Sequence, residues 1–263
     1  MMETKVLIAC HKEVEVSKDD LYLPLQVGAF QKESIGFQRD DEGENISDLN
    51  PYYSELTGLY WAWKNTNYDY LGLCHYRRYF STNPKKKGFD GVLELEEAES
   101  LFTHFKVILP KKRKYYVETL YSHYANTMNE THLIETRKII EQNNPEYLDI
   151  YDETLKQTSG YMFNMFIMPR EYVDAYCAWL FPILEELLKR IGKDGTDFEN
   201  RYCGRVAERL FNVWLNKQIK DKIVLPSEIY ELPYIYLGKV NYYKKAKGFI
   251  SAKLFKKKYT DSF

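Results

Sequence analysis

Three side chains gathered in one short run carry the most pointed chemistry in this sequence: His75, Arg77 and Arg78, within His75-Tyr76-Arg77-Arg78-Tyr79-Phe80. An imidazole exchanges its proton near neutral pH. A guanidinium keeps its charge and matches two phosphate oxygens at once. Together they suit a displacement in which a phosphate leaving group must be neutralised as it departs. The same spacing also fits ordinary ion pairs for Arg77 and Arg78 with His75 a satisfied core residue, and spacing alone does not separate the two.

A second polar pair, His11-Lys12, closes the apolar run Lys5 to Cys10. A displacement reaction also needs a base. Candidates are Asp194, Asp197, Glu199 and Glu208, all in the last third of the chain, each of which could equally lie on a solvated face. Glu208 and Arg209 are neighbours on a helical pattern, so they are expected not to pair and to face different surfaces. Asp69 either binds a ribose or caps local backbone.

These residues need elements to hold them. The run Lys5 to Cys10 predicts a buried strand, with His11 and Lys12 at its carboxyl end. Tyr68 to Cys74 predicts a second strand that delivers His75 to Arg78, and Lys106 to Leu109 a third. Tyr161 to Met168 reads as an apolar strand interrupted by Asn164. Helical patterns cover Tyr52 to Lys64, Glu94 to Phe102, Val117 to Lys156 in pieces, Pro169 to Ile191 with Pro182 inside, and Arg201 to Ile219. Gln38 to Asn50 is acidic and reads as a lid or solvated connection. Strands separated by helices predict an α/β fold with a mostly parallel sheet, whose ligands bind beyond the carboxyl ends of the strands.

The chain has 263 residues, which fits one catalytic domain over 1–240 and a basic amphipathic tail over 241–263. With 37 basic and 38 acidic residues, no global field favours nucleic acid. The 24 Tyr and 14 Phe suit sugars and nucleobases, and equally a Tyr-rich core. Four scattered cysteines signal neither zinc nor a disulfide framework and fit a reducing cytosol. No P-loop, GxGxxG, GxSxG or HExxH is present. No segment is apolar enough to span a membrane, so a soluble or peripheral protein is expected. Lys85 to Lys87 and Lys111 to Lys114 could contact phosphates or stay solvated. Tyr242 to Tyr259 mixes Lys with Phe, Ile and Leu, as an interfacial membrane segment does and as a solvated basic tail does too.

Several segments together resemble a known bacterial family: IACHK (Ile8 to Lys12), NPYYSELTGLYWAWKN (Asn50 to Asn65), YDYLGLCHYRRYF (Tyr68 to Phe80), NMFIMPREYVDAYCAWLFPIL (Asn164 to Leu184) and RYCGRVAERLFNVWL (Arg201 to Leu215). The family, formerly a domain of unknown function, occurs in capsular and lipopolysaccharide clusters and is assigned to glycosyltransferases. The resemblance implies a type A-like glycosyltransferase fold and a nucleotide-sugar donor, with UDP-galactofuranose one extension. The acceptor would be a lipid-linked or growing glycan.

Its motif residues fall on His11, Glu55, Thr57, His75, Arg77, Arg78, Asn164, Arg201, Gly204, Glu208 and Arg209. The resemblance implies that His11, Lys12 and Thr57 lie near the nucleotide and His75, Arg77 and Arg78 near the diphosphate. Asn164 would orient sugar hydroxyls and Glu208 would act as base, with Glu55, Arg201 and Arg209 on the donor side. Metal-dependent enzymes of that fold carry Asp-X-Asp after a central strand, whereas this chain has Cys74-His75-Tyr76-Arg77. Either cations replace the metal, or Mg²⁺ or Mn²⁺ is held by carboxylates from elsewhere. The alternative function is a non-catalytic glycan- or partner-binding subunit of the same pathway.

Overall fold

The first strand in the sequence lies inside the sheet, next to its central strand. In the computed structural model, which describes residues 2–237, β1 (Thr4–Cys10) lies between β2 (Tyr22–Gln26) and β4 (Tyr70–His75), parallel to both. The expected tail, 241–263, lies outside the described residues. Side chains of β1 alternate between two cores, as the period of a strand requires. Leu7 and Ala9 join the larger one, and Val6, Ile8 and Cys10 the smaller. Both faces are covered, which is why the run is apolar throughout instead of alternating with polar residues.

The sheet runs β10-β6-β9-β4-β1-β2-β3. Here β3 is Gln38–Arg39, β6 is Val107–Pro110, β9 is Phe166–Pro169 and β10 is Ile229–Leu232. Only β9 opposes its neighbours on this path, and because it is antiparallel to both β4 and β6, those two point the same way. The carboxyl ends of β1, β4, β6 and β10 therefore share one edge. A short strand β5 (Arg78–Phe80) folds back on β4 at His75, and β11 (Tyr234–Tyr236) pairs with β5. A separate ribbon joins β7 (Arg113–Lys114) to β8 (Ser159–Gly160).

Helices α1 (Asn50–Tyr53), α2 (Leu56–Asn65), α4 (Leu120–Thr127), α5 (Thr131–Asn143), α6 (Leu148–Leu155), α7 (Arg170–Ile191) and α9 (Tyr202–Lys220) pack into the larger core. The smaller core lies under α3 (Leu95–Phe102). A short α8 (Asp197–Asn200) precedes α9. Val206, Leu210, Val213 and Trp214, spaced for one helical face, are all buried. Pro182 stays inside α7 with its ring exposed, and Gly192 ends that helix at φ 64°.

Three expectations are corrected. Tyr161 to Met168 is a strand only from Phe166, because Phe163 and Asn164 both take left-handed backbone, at φ 75° and 51°. The helix expected over Tyr52 to Lys64 breaks at Ser54, φ 54°. Gln38 to Asn50 is not merely a solvated loop: Asp40 within it is fully buried.

Candidate functional site

Register decides what meets at the shared edge. Ala9 pairs with His75, so His11 after β1 and the Tyr76-Arg77 turn that folds β5 back on β4 leave the sheet at the same edge. The His11 ring meets Tyr76 edge-on at 5.2 Å. Arg77 lies over the Tyr76 ring, its guanidinium 4.9 Å from the centroid, and Lys12 approaches the same ring at 5.8 Å. Tyr76 is thus the pillar around which the cations collect, and each contact uses the negative face of an aromatic ring.

The charges around His11 are all of one sign. Its pKa is lowered first by burial and then by Arg77, Lys12, Arg201 and Lys32. Arg77 donates to the Tyr236 hydroxyl at 3.3 Å and also to Tyr76. Arg78 lies between the rings of Phe163, at 4.5 Å, and Tyr236, at 5.5 Å. Among the described residues neither arginine forms an ion pair with a carboxylate. Desolvated cations without anionic partners are poised to take an external anion. Beside them opens a cavity of about 360 Å³ lined by Lys12, Val14, Glu15, Tyr76, Arg77 and Phe89, together with Leu237.

Behind this ledge lies a hydrogen-bonded hub built on the Phe163–Asn164 turn. His75 Nε2 contacts the Phe163 carbonyl oxygen at 2.6 Å, and the Phe163 N–H donates to Glu208 Oε1 at 3.0 Å. The other Glu208 oxygen pairs with Arg209 Nη1 at 2.7 Å. The expectation that these neighbours would not pair is therefore overturned. Arg209 is anchored by its bond to the Arg205 carbonyl one turn back and lies over Tyr124, and its length brings the guanidinium round to Glu208. Asn164 donates to Glu55 Oε1 at 2.7 Å and to the Gly204 carbonyl at 3.0 Å.

Gly204 also lets α9 sit close to the end of α1, since a Cβ there would stand 3.2 Å from the Tyr53 carbonyl oxygen and push it back by a few tenths of an ångström. Arg201, at the entry to α9, donates to Ser54 Oγ at 2.9 Å.

The structure brings His11, Lys12, Arg77, Arg78 and Arg201 to one edge, with His75, Glu55, Asn164, Glu208 and Arg209 behind them. It does not bring Thr57 or Asp69 there. Thr57 is fully buried and donates to Asp40 Oδ2 at 2.6 Å. Asp40 also accepts from Gly28 N, Ala29 N and Ser47 Oγ, so four donors compensate its buried charge. Asp69 stands at the amino end of β4, the opposite edge, where it accepts from the Glu3 N–H at 2.8 Å. Of its two expected roles it fills the one of capping backbone. Asn164 and Arg209 are also corrected, being 4% and 5% exposed: they brace the turn and the carboxylate and do not face an open site.

Sequence reasoning missed Tyr76, Phe163, Tyr236 and Asp40. Tyr76 alone carried a signal, lying inside the cationic run.

A Mg²⁺ or Mn²⁺ ion requires several oxygen ligands. The β4 exit supplies imidazole, phenol and guanidinium, and among the described residues no three His, Cys, Asp or Glu side chains converge as a ligand set. Among the described residues this edge therefore holds no preformed protein ligand set for a divalent ion. Cys10, at the end of β1, offers no nucleophile, since burial pushes its thiol up to about 12. Among the described residues no helix is long and apolar enough to cross a membrane.

Comparison with known proteins agrees with this architecture. The WbbM bifunctional glycosyltransferase, solved in its apo form, matches with a TM-score of 0.82 at 29% identity, over 90% of this chain and 46% of that one. The chain therefore spans about half the length of that protein. No curated protein matches it. The α/β fold with a mostly parallel sheet flanked by helices is thus shared with a glycosyltransferase of the type A-like kind. The model of the family described as a domain of unknown function, DUF4422, matches residues 5–219, and the chain belongs to that family.

Proposed function

We propose that this chain transfers a sugar from a nucleotide donor, UDP-linked, to a lipid-linked or growing glycan of a capsule, lipopolysaccharide or exopolysaccharide. The observation that carries the reading is the pair of guanidinium groups Arg77 and Arg78, which among the described residues form no ion pair with a carboxylate, beside the cavity next to Tyr76. In it the diphosphate lies against Arg77, Arg78 and Lys12, with the nucleoside in the cavity. The acceptor hydroxyl attacks the anomeric carbon from the face opposite the diphosphate, and the bond between that carbon and the diphosphate oxygen breaks. Glu208 takes the hydroxyl proton, the sugar's configuration inverts, and UDP leaves with the bond electrons while cationic side chains hold its charge. A hexosyl donor is proposed, and UDP-galactofuranose is the form to test first. The match to a bifunctional glycosyltransferase supports the reaction class.

Residues 1–240 are proposed as the catalytic unit and 241–263 as a tail that holds it peripherally at the inner face of the cytoplasmic membrane. Thermal shifts with UDP, GDP, CMP and ADP test the donor. UDP should stabilise the wild type and lose most of that effect in Arg77→Ala. Failure of all four nucleotides to shift the transition would overturn the reading. The second reading, a glycan-binding subunit without turnover, draws on the occupation of both Glu208 oxygens. It predicts glycan binding without donor hydrolysis or transfer.

A further inference from the structure

The loop that follows β6 is not used by the chemistry above. We infer that Lys111–Val117 is a docking surface for an anionic lipid bilayer. Lys111, Lys112, Arg113 and Lys114 are four consecutive exposed cations. Among the described residues none of them forms an ion pair, and two are oriented only by aromatic faces, Lys112 over Tyr161 and Arg113 over Tyr115.

At the tip the polarity changes. Tyr116 is 82% exposed and Val117 77%, while other large apolar side chains that reach the surface, such as Phe30 and Ile223, are about half exposed. Tyr116 holds a left-handed backbone, φ 60°, in a tight turn closed by the Val117 N–H on the Tyr115 carbonyl at 2.7 Å. Such a turn is strained for a residue with a side chain. Here it thrusts an aromatic and an aliphatic side chain outward past the cations.

Anionic headgroups satisfy the cations, and the interfacial layer beneath them takes Tyr and Val. A soluble polyanion would satisfy the cations and leave Val117 in water. The base of the loop is held in place by pairing of Arg113 with Gly160 and Lys114 with Ser159, so the tip is presented by a built ribbon. Lys111 follows the carboxyl end of β6, the same edge that carries His11 and Arg77. A bilayer gripped here would lie beside the ledge. The inference does not rest on the donor assignment.

The test uses the full chain with Val117→Cys carrying an environment-sensitive maleimide dye. The four native cysteines are buried, which directs the label to position 117. Emission should shift to the blue with phosphatidylglycerol-containing vesicles, and not with phosphatidylcholine vesicles or soluble polyphosphate. Sedimentation of the unlabelled chain with the anionic vesicles should weaken by about ten-fold or more when all four cations become Gln, and recover none of that loss at high salt. Unchanged emission with anionic vesicles overturns the inference, as does a shift with polyphosphate alone. Sedimentation of the four-Gln variant equal to wild type does so too. Nucleotide thermal shifts on the same variant separate this outcome from loss of the donor site.

Discussion

His75 Nε2 and the carbonyl oxygen of Phe163 lie 2.6 Å apart, and because a carbonyl only accepts, it is the imidazole that donates. Nε2 therefore carries the donated hydrogen. This bond fixes a turn whose two central residues, Phe163 and Asn164, both have positive φ. A Gln at 75 keeps an N–H donor of similar reach, whereas Ala keeps none. His75→Ala should cost about 1–3 kcal/mol in urea unfolding, since it leaves the strained turn and a carbonyl unsupported, and transfer should fall with it. His75→Gln should recover most of both. Equal losses in the two variants would show that the ring itself, and not its donated bond, is what the site requires.

Thr57 offers the opposite test. Its hydroxyl serves a fully buried carboxylate, so Thr57→Val removes one of the four donors around Asp40 while preserving shape. A stability loss of about 1–3 kcal/mol is expected, with UDP affinity unchanged. Titration of UDP by calorimetry against the variant checks this. A weakened affinity at full folding would return Thr57 to the nucleotide site.

These two residues mark where the sequence was readable. The strand at Lys5 to Cys10 announces itself by an unbroken apolar run, and α7 and α9 by helical spacing, because those signals are local. Cations placed after a buried strand could be located from the strand alone. The Phe163–Asn164 turn could not be found this way, since an aromatic run such as Tyr161 to Phe166 looks like a strand whatever its backbone angles. The donors around Asp40 come from Gly28, Ala29, Ser47 and Thr57, and only folding brings them together. The pairing of β5 with β11 likewise joins Tyr79 to Ile235, a contact no local pattern encodes.

The charge around His11 predicts a proton linkage. Burial, then Arg77, Lys12, Arg201 and Lys32, lower its pKa from 6.5 in the folded protein. The unfolded chain therefore binds more protons between the lowered value and 6.5. Stability contributed by neutral His11 is whole above that window and falls as pH drops through it, until the loss is complete below the lowered value. A bound diphosphate reverses the local field and favours the charged ring. UDP binding should take up protons as pH falls from 7.5 to 5.5, measured by calorimetry in buffers of different ionisation enthalpy. His11→Gln should flatten that dependence and leave only the titration of the nucleotide. His123, whose pKa burial also lowers, is shut in beside Glu118, so its share of the stability slope should persist in His11→Gln.

Glu208 is where geometry and chemistry pull hardest on one another. Its Oε1 holds the Phe163 N–H and its Oε2 holds Arg209, so the carboxylate both braces the turn and is proposed to take a proton. A carboxylate oxygen has two lone pairs, and each oxygen can accept a second hydrogen bond while keeping the first. Glu208→Gln separates the two duties, because the amide oxygen can still accept from Phe163 N–H but cannot serve as a base. If the base role is right, turnover should drop by about 10²–10⁴-fold with UDP affinity near wild type, while the melting temperature falls because the amide N–H now faces Arg209 and leaves that buried guanidinium without its carboxylate. Glu208→Ala should lose the brace as well and melt earlier still. A Gln variant that retains turnover would move the base elsewhere, with Glu208 left as the residue that positions Phe163.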